Sequence, residues 1–270
     1  MMRGIAHLPK SLYFIGNLPS QYTPSVAIIG TRKPSTYGQE VAYKLACDIA
    51  SRGVVVVSGL ALGIDALAHK GALDAGGTTI AVMAGGLDAV HPKTNTLLAR
   101  RILQSGGALI SEYPPGTPSY PAHFVARNRI VAAIADGVLV VEAAIKSGTL
   151  HTAGFALDYG RPVMAVPGAI TNPLSTGTNK LIATGARLIT TAQDVLAEIG
   201  AESEVVQATL PLGDTPEEAT IIKLLARGVR DGEELQILSK IEASLFNQSM
   251  TMLEINGIIR PLGANQWGLA

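Results

Sequence analysis

Between Ser25 and about Gly200, short apolar runs rich in valine and isoleucine alternate with longer stretches of helical periodicity. The runs fall at 26–30, 54–57, 78–82, 107–110, 137–141, 162–166 and 187–189. Segments such as "VVVV" and "VLVV" have no polar residue at alternate positions, so these strands are expected to be covered on both faces. Helices are expected over 37–51, 63–75, 94–104, 124–135, 149–159, 177–184 and 191–199. This alternation predicts an α/β domain over 25–200 with a doubly wound, mostly parallel sheet, and 1–24 as an N-terminal extension.

The pattern changes after Ala201. Residues 201–214 are acidic and hold turn residues, as expected of a linker. A helix should follow, with Thr215 as N-cap, Pro216 at the first position and Glu217 and Glu218 in the first turn. Helices over 232–240 and 243–256 and two short strands around Gly263-Ala264-Asn265 complete a predicted winged-helix domain over 215–270.

Composition changes the picture mainly through where charge lies. The net charge is zero, yet residues 1–150 carry 13 Lys/Arg against 8 Asp/Glu, while 201–270 carry 5 against 10. The front half should attract polyanions and the tail should repel them. One cysteine, Cys47, allows no intrachain disulfide and no cysteine-rich zinc site. The first residues lack the apolar run of a secretory signal, and no apolar stretch has the length of a membrane span, so a cytoplasmic protein is expected.

The strand ends are where chemistry should gather, because ligands of open α/β sheets bind at carboxyl ends of strands, near helix N-termini. The loop after the first strand offers Gly30, Thr31, Arg32 and Lys33. "SGLALG" offers Ser58 and Gly59. "KSGT" combines Lys146, Ser147, Gly148 and Thr149 just before a helix, and Arg127, Asn128 and Arg129 stand in the expected first turn of another. A cation at a helix N-terminus opposes the helix dipole at a cost of roughly 0.3–1 kcal/mol. Its recurrence at three helix starts is consistent with a bound anion. The competing reading is that these side chains reach solvent or pair with Glu112, Asp136 or Glu142. Asp65 and His69 lie four apart on a helix, a spacing that suits a metal pair, but no third ligand is evident and a structural pair is the simpler reading. Tyr120, Phe124 and Phe155 are the few aromatics near the rim, with core packing as their ordinary role. No GxSxG, HExxH or Walker A string occurs, and no catalytic set assembles.

Taken together, "VAIIGTRKPSTYG", "SGLALGIDALAHKGAL", "TIAVMAGGLDAVHPKTN", "LISEYPPGTP", "ARNRIVAAIADGVLVVEA", "KSGTLHTAGFALDYGRPVMAVPG" and "STGTNKLIATGA" resemble the DNA-processing protein A (DprA/Smf) family in its own order over residues 11–190. The resemblance implies an extended Rossmann-like domain that binds single-stranded DNA without catalysis or cofactor. It also implies a homodimer and help in loading the RecA recombinase during natural transformation. Arg32 and Lys146 become the expected phosphate contacts, Arg127 and Arg129 match the family's Arg-Asn-Arg, and Asn179–Thr190, with Leu181, Ile182 and Leu188, falls where the family self-associates. Two positions depart from its pattern: Leu62 replaces a usual arginine and Val125 a frequent proline. The candidate recognition helix of the tail, "EASLFNQSMTMLE", has no Lys or Arg, so a protein contact or an autoregulatory dock is expected there instead of DNA reading. The competing functional classes are a phosphoribohydrolase-like enzyme, whose Pro-Gly-Gly-x-Gly-Thr-x-x-Glu signature is missing, and a small-nucleotide sensor.

Overall fold

The computed structural model describes residues 8–20, 22–201, 215–226, 228–263 and 265–269. The chain divides into two compact units, Met1–Glu202 and Ser203–Ala270. Most of the expected linker, 202–214, lies outside the described residues.

In the first unit the chain runs β1 (Tyr13–Gly16), β2 (Ser25–Ile29), α1 (Thr36–Ala50), β3 (Val55–Ser58), α2 (Ile64–Asp74), β4 (Thr79–Val82), α3 (Thr96–Gln104), β5 (Ala108–Ser111), α4 (Pro121–Ile134), β6 (Gly137–Val140), α5 (Thr149–Asp158), β7 (Val163–Ala165), α6 (Thr176–Ala183), β8 (Arg187–Leu188) and α7 (Ala192–Glu198). The eight strands form one sheet in the order β1-β5-β4-β3-β2-β6-β7-β8. All neighbours are parallel except β1, which joins β5 antiparallel with Tyr13 opposite Ser111.

The continuous apolar runs have the cause the sequence predicts. Val26 and Ile28 face a core built with α1, α2 and α7, while Ala27 and Ile29 face a second core built with α4 and α5. Both faces are covered, so a polar side chain on these strands needs a hydrogen-bond partner, as buried Ser25, Ser58 and Thr79 have. Strand order reverses between β2 and β6, which pair from Val26–Gly137 to Ile29–Val140. Beyond their carboxyl ends opens the crevice that such a reversal creates.

The second unit holds α8 (Pro216–Ala226), α9 (Gly232–Ser239), α10 (Ala243–Ile255) and a hairpin of β9 (Ile259–Gly263) and β10 (Gln266–Leu269). Ile221, Ile222 and Leu225 of α8 pack on Leu235, Phe246, Met250, Leu253 and Ile259. Among the described residues no helix is long and apolar enough to cross a membrane.

Candidate functional site

The turn from β2 into α1 is held at both ends. A Cβ on Gly30 would collide with the Ile64 side chain and the Glu142 carbonyl, so glycine is required where this turn passes between α2 and the end of β6. Thr31 N–H donates to the Glu142 carbonyl at 2.8 Å. The Glu142 side chain, 1% exposed, accepts from the Ser35 N–H at 2.9 Å and from the Ser35 hydroxyl. Ser35 in turn caps α1 by accepting from the Gly38 N–H. Arg32 and Lys33 are left exposed at the tip. The Arg32 guanidinium lies 5.3 Å from the centre of the Phe124 ring.

A cleft of about 520 Å³ opens at this switch point. It is lined by Gly30, Thr31, Arg32 and Lys33 from the first turn, Gly59 and Asp65 around the start of α2, Phe124, Arg127 and Asn128 from α4, and Ser147, Gly148 and Thr149 before α5. Three loops and the α4 helix thus meet in one cleft. Gly63, at φ +76°, brings α2 under the turn, where a Cβ would strike the Thr31 carbonyl and the Arg32 backbone.

Arg127 forms the inner wall. It is buried, and its Nη1 donates to the carbonyls of Gly59 and Val82. Burial lowers its pKa, the nearby Asp65 carboxyl partly offsets this, and the charge of Arg32 lowers it again. Asp65 accepts from the Gly59 N–H at 3.2 Å and the Ala61 N–H at 3.4 Å. Burial raises its pKa above the usual carboxylate range, against the opposing pull of Arg127. The Asp65–His69 spacing serves structure. His69 is fully buried, with Nδ1 2.7 Å from the Thr79 hydroxyl, which donates to the Val56 carbonyl. The ring nitrogen must therefore be the donor. Burial, helped by Arg127, pushes the imidazole down to about 3. Among the described residues no group of three metal-binding side chains assembles.

Several expected contacts are placed differently. The α4 helix starts at Pro121, so Arg127 and Arg129 lie beyond its first turn and the helix-dipole argument does not apply to them. Arg129 pairs with Glu112 and does not line the cleft. Ser58 is buried and donates to the Ile28 carbonyl at 2.7 Å. The "KSGT" hydroxyl protons are committed internally, Ser147 to Thr149 at 3.0 Å and Thr149 to the Gly30 carbonyl at 3.1 Å. These bonds tie the α5 loop to the first turn, and Lys146 stands exposed beside Ser147. Phe124 lines the cleft, edge-on to His91 at 5.4 Å, and Tyr120 is exposed, whereas Phe155 packs into the core beside Tyr159. Leu188 is exposed, but Leu181 packs against its own domain's core and Ile182 is half-buried. Glu142 went unremarked as a site anchor, although a lone acid ending "VLVV" is a visible signal.

The profile of the family described as DNA recombination-mediator protein A matches residues 1–200. Protein Smf of Escherichia coli (strain K12) is 44% identical over 192 residues, which is 71% of this chain and 51% of that one, so the chain spans about half the length of that relative. The X-ray structure of DNA processing protein A from Streptococcus pneumoniae superposes with a TM-score of 0.65 at 45% identity, covering 69% of this chain and 65% of that one. DNA processing protein A from Helicobacter pylori, whose structure concerns its unique single-stranded DNA binding mode, gives a TM-score of 0.65 at 36% identity, covering 72% and 88%.

Proposed function

Because this chain belongs to the DNA recombination-mediator protein A (DprA/Smf) family, we propose that its switch-point cleft holds single-stranded DNA by the phosphate backbone. One observation carries this reading. Two arginines share one cleft, and the charge of Arg32 adds to burial in lowering the pKa of Arg127. Asp65 compensates only in part. An anion resting on Arg32 and Lys33 relieves that repulsion, and a phosphate diester is the anion a nucleic acid supplies at regular intervals. Lys146 extends the positive rim. A flexible single strand can lower one phosphate into such a cleft and lay a base on Phe124 or Tyr120, whereas a duplex holds its bases stacked inside.

On the same reading the protein acts by binding, without catalysis, and passes single-stranded DNA to the RecA recombinase during DNA uptake in the cytoplasm. It works as a homodimer whose contact centres on Leu188 of the edge strand β8, since Leu181 is spent on its own core. The second unit is read as a winged helix with no part in holding the strand.

The test is fluorescence anisotropy of a labelled oligo-dT, with the full chain and with a chain ended at Glu202. Most of the affinity should survive the truncation, because the positive surplus lies in residues 1–150. Nucleoside mono- and triphosphates should compete poorly. Their displacing the strand at equal phosphate concentration would instead make the cleft a small-nucleotide sensor.

A further inference from the structure

Arg32 is exposed on the turn after β2, and among the described residues no carboxylate pairs with it. Its guanidinium lies instead 5.3 Å from the centre of the Phe124 ring. That ring is half-buried on α4 and meets the His91 imidazole at 5.4 Å and 61°, so it bridges the first turn and the loop after β4. Ring and guanidinium both line the cleft. A cation is drawn to an aromatic face by the ring quadrupole, and a nucleobase stacks on the same kind of face. On one face the two contacts exclude each other.

On the premise that the cleft holds a single strand, we propose that Phe124 makes it selective for polyanions that carry bases. In the free protein the ring holds Arg32. A phosphate that draws the guanidinium away breaks that contact, and the loss lowers affinity for any polyanion. A single strand recovers it by laying a base on the uncovered face. A chain of phosphates without bases, such as inorganic polyphosphate, has nothing to put there. Lys33, exposed on the same turn, attracts both alike. Selectivity thus comes from the exchange on Phe124, because charge alone reads only phosphates.

The experiment measures anisotropy of the full chain with labelled oligo-dT and with an abasic oligomer of the same length. Wild type should prefer oligo-dT by about fivefold or more. Phe124→Ala should bind the abasic oligomer about two- to fivefold more tightly than wild type, because Arg32 has no ring to leave. Its preference for oligo-dT should fall about fivefold. Phe124→Leu, which keeps an apolar side chain of similar bulk without a π face, should show the same abasic gain. In an Arg32→Ala background that gain should vanish. Inorganic polyphosphate should displace oligo-dT from Phe124→Ala at lower concentration than from wild type. Equal wild-type binding of the two oligomers, or abasic binding unchanged or weakened in both Phe124 variants, overturns the proposal. The cleft reading survives that result if Arg32→Ala still weakens both oligomers. If Arg32→Ala alters neither affinity, the strand lies elsewhere and both fall.

Discussion

Removing Arg32 and removing Arg127 should give opposite phenotypes, although both side chains line one cleft. Arg127 serves two buried carbonyls, those of Gly59 and Val82. Arg127→Ala leaves both without a donor, and each buried unsatisfied acceptor costs about 1–3 kcal/mol. It also withdraws the charge that holds the Asp65 pKa down. Relief from burying a guanidinium offsets part of this, so a net loss on the order of 2–4 kcal/mol is expected. For a domain of this size that lowers Tm by roughly 5–15 °C. Arg32 is exposed and rests on the Phe124 ring, a contact worth about 0.5–1 kcal/mol at such a site. Arg32→Ala should therefore leave Tm within a few degrees of wild type, on the order of that contact alone. Its effect should appear in binding, where one lost phosphate contact lowers the slope of log affinity against log salt by about 0.7 on a single strand. Adding Lys33→Ala should remove about as much again. Thermal melts followed by circular dichroism, with salt titrations of oligo-dT anisotropy, read both quantities. An unchanged salt slope in folded Arg32→Ala would move the DNA to another face, and an unchanged Tm in Arg127→Ala would refute the buried-donor account.

The His69 imidazole, held at about 3 when folded and near 6.5 when unfolded, makes the unfolded state bind more protons below neutrality. Stability is thus lost as pH falls from about 6.5 towards 3, with about 2 kcal/mol gone between pH 7 and 5. Urea unfolding of wild type and His69→Asn should differ by that amount in their pH 7-to-5 loss. Circular dichroism is the right signal, because the single tryptophan, Trp267, reports on the other unit. Leu62 is exposed between Ala61, which lines the cleft, and Gly63 beneath the first turn. Leu62→Arg should raise the salt slope by about 0.7, and an unchanged slope would put that loop outside the DNA path. Leu188→Glu should convert a dimer to a monomer in light scattering without altering the circular dichroism spectrum. A wild-type monomer at micromolar concentration would reject the dimer outright.

The sheet was legible because burial on both faces leaves an unbroken apolar run, and Val26–Ile29, Val55–Val57 and Val138–Val140 each lie within one. The first strand was not. Tyr13–Gly16 is an apolar run of only four residues that sits exposed at the sheet edge outside the strand–helix alternation, and its pairing with β5 is what defines it. The same distinction governs the site. Gly30, Arg32 and Lys33 were readable because a turn glycine and two exposed cations depend on local conformation. The Thr149 hydroxyl closes onto the Gly30 carbonyl, 119 residues away, and that bond left no mark in the string "KSGT".

The Arg-Asn-Arg pair shows how far periodicity reaches. Arg127, Ile130, Val131 and Ile134 stand at i, i+3, i+4 and i+7, and all four are buried. Ala132 and Ala133, at i+3 and i+4 from Arg129, are buried too, so spacing alone does not tell the two arginines apart and their partners do. A guanidinium on a core stripe must find acceptors or forfeit its hydration. Carbonyls at the ends of neighbouring strands are the acceptors that a parallel sheet leaves there, and Gly59 and Val82 supply them. Pro121, the usual first residue of a helix, marked the true start of α4 three residues before the one expected. With Arg127 committed to the sheet and Arg129 to Glu112, the expected site cations that stand on exposed loops are Arg32, Lys33 and Lys146. The buried arginine fixes the floor on which the loops stand, and if the cleft holds a polyanion as proposed, its affinity falls to side chains that no core contact constrains.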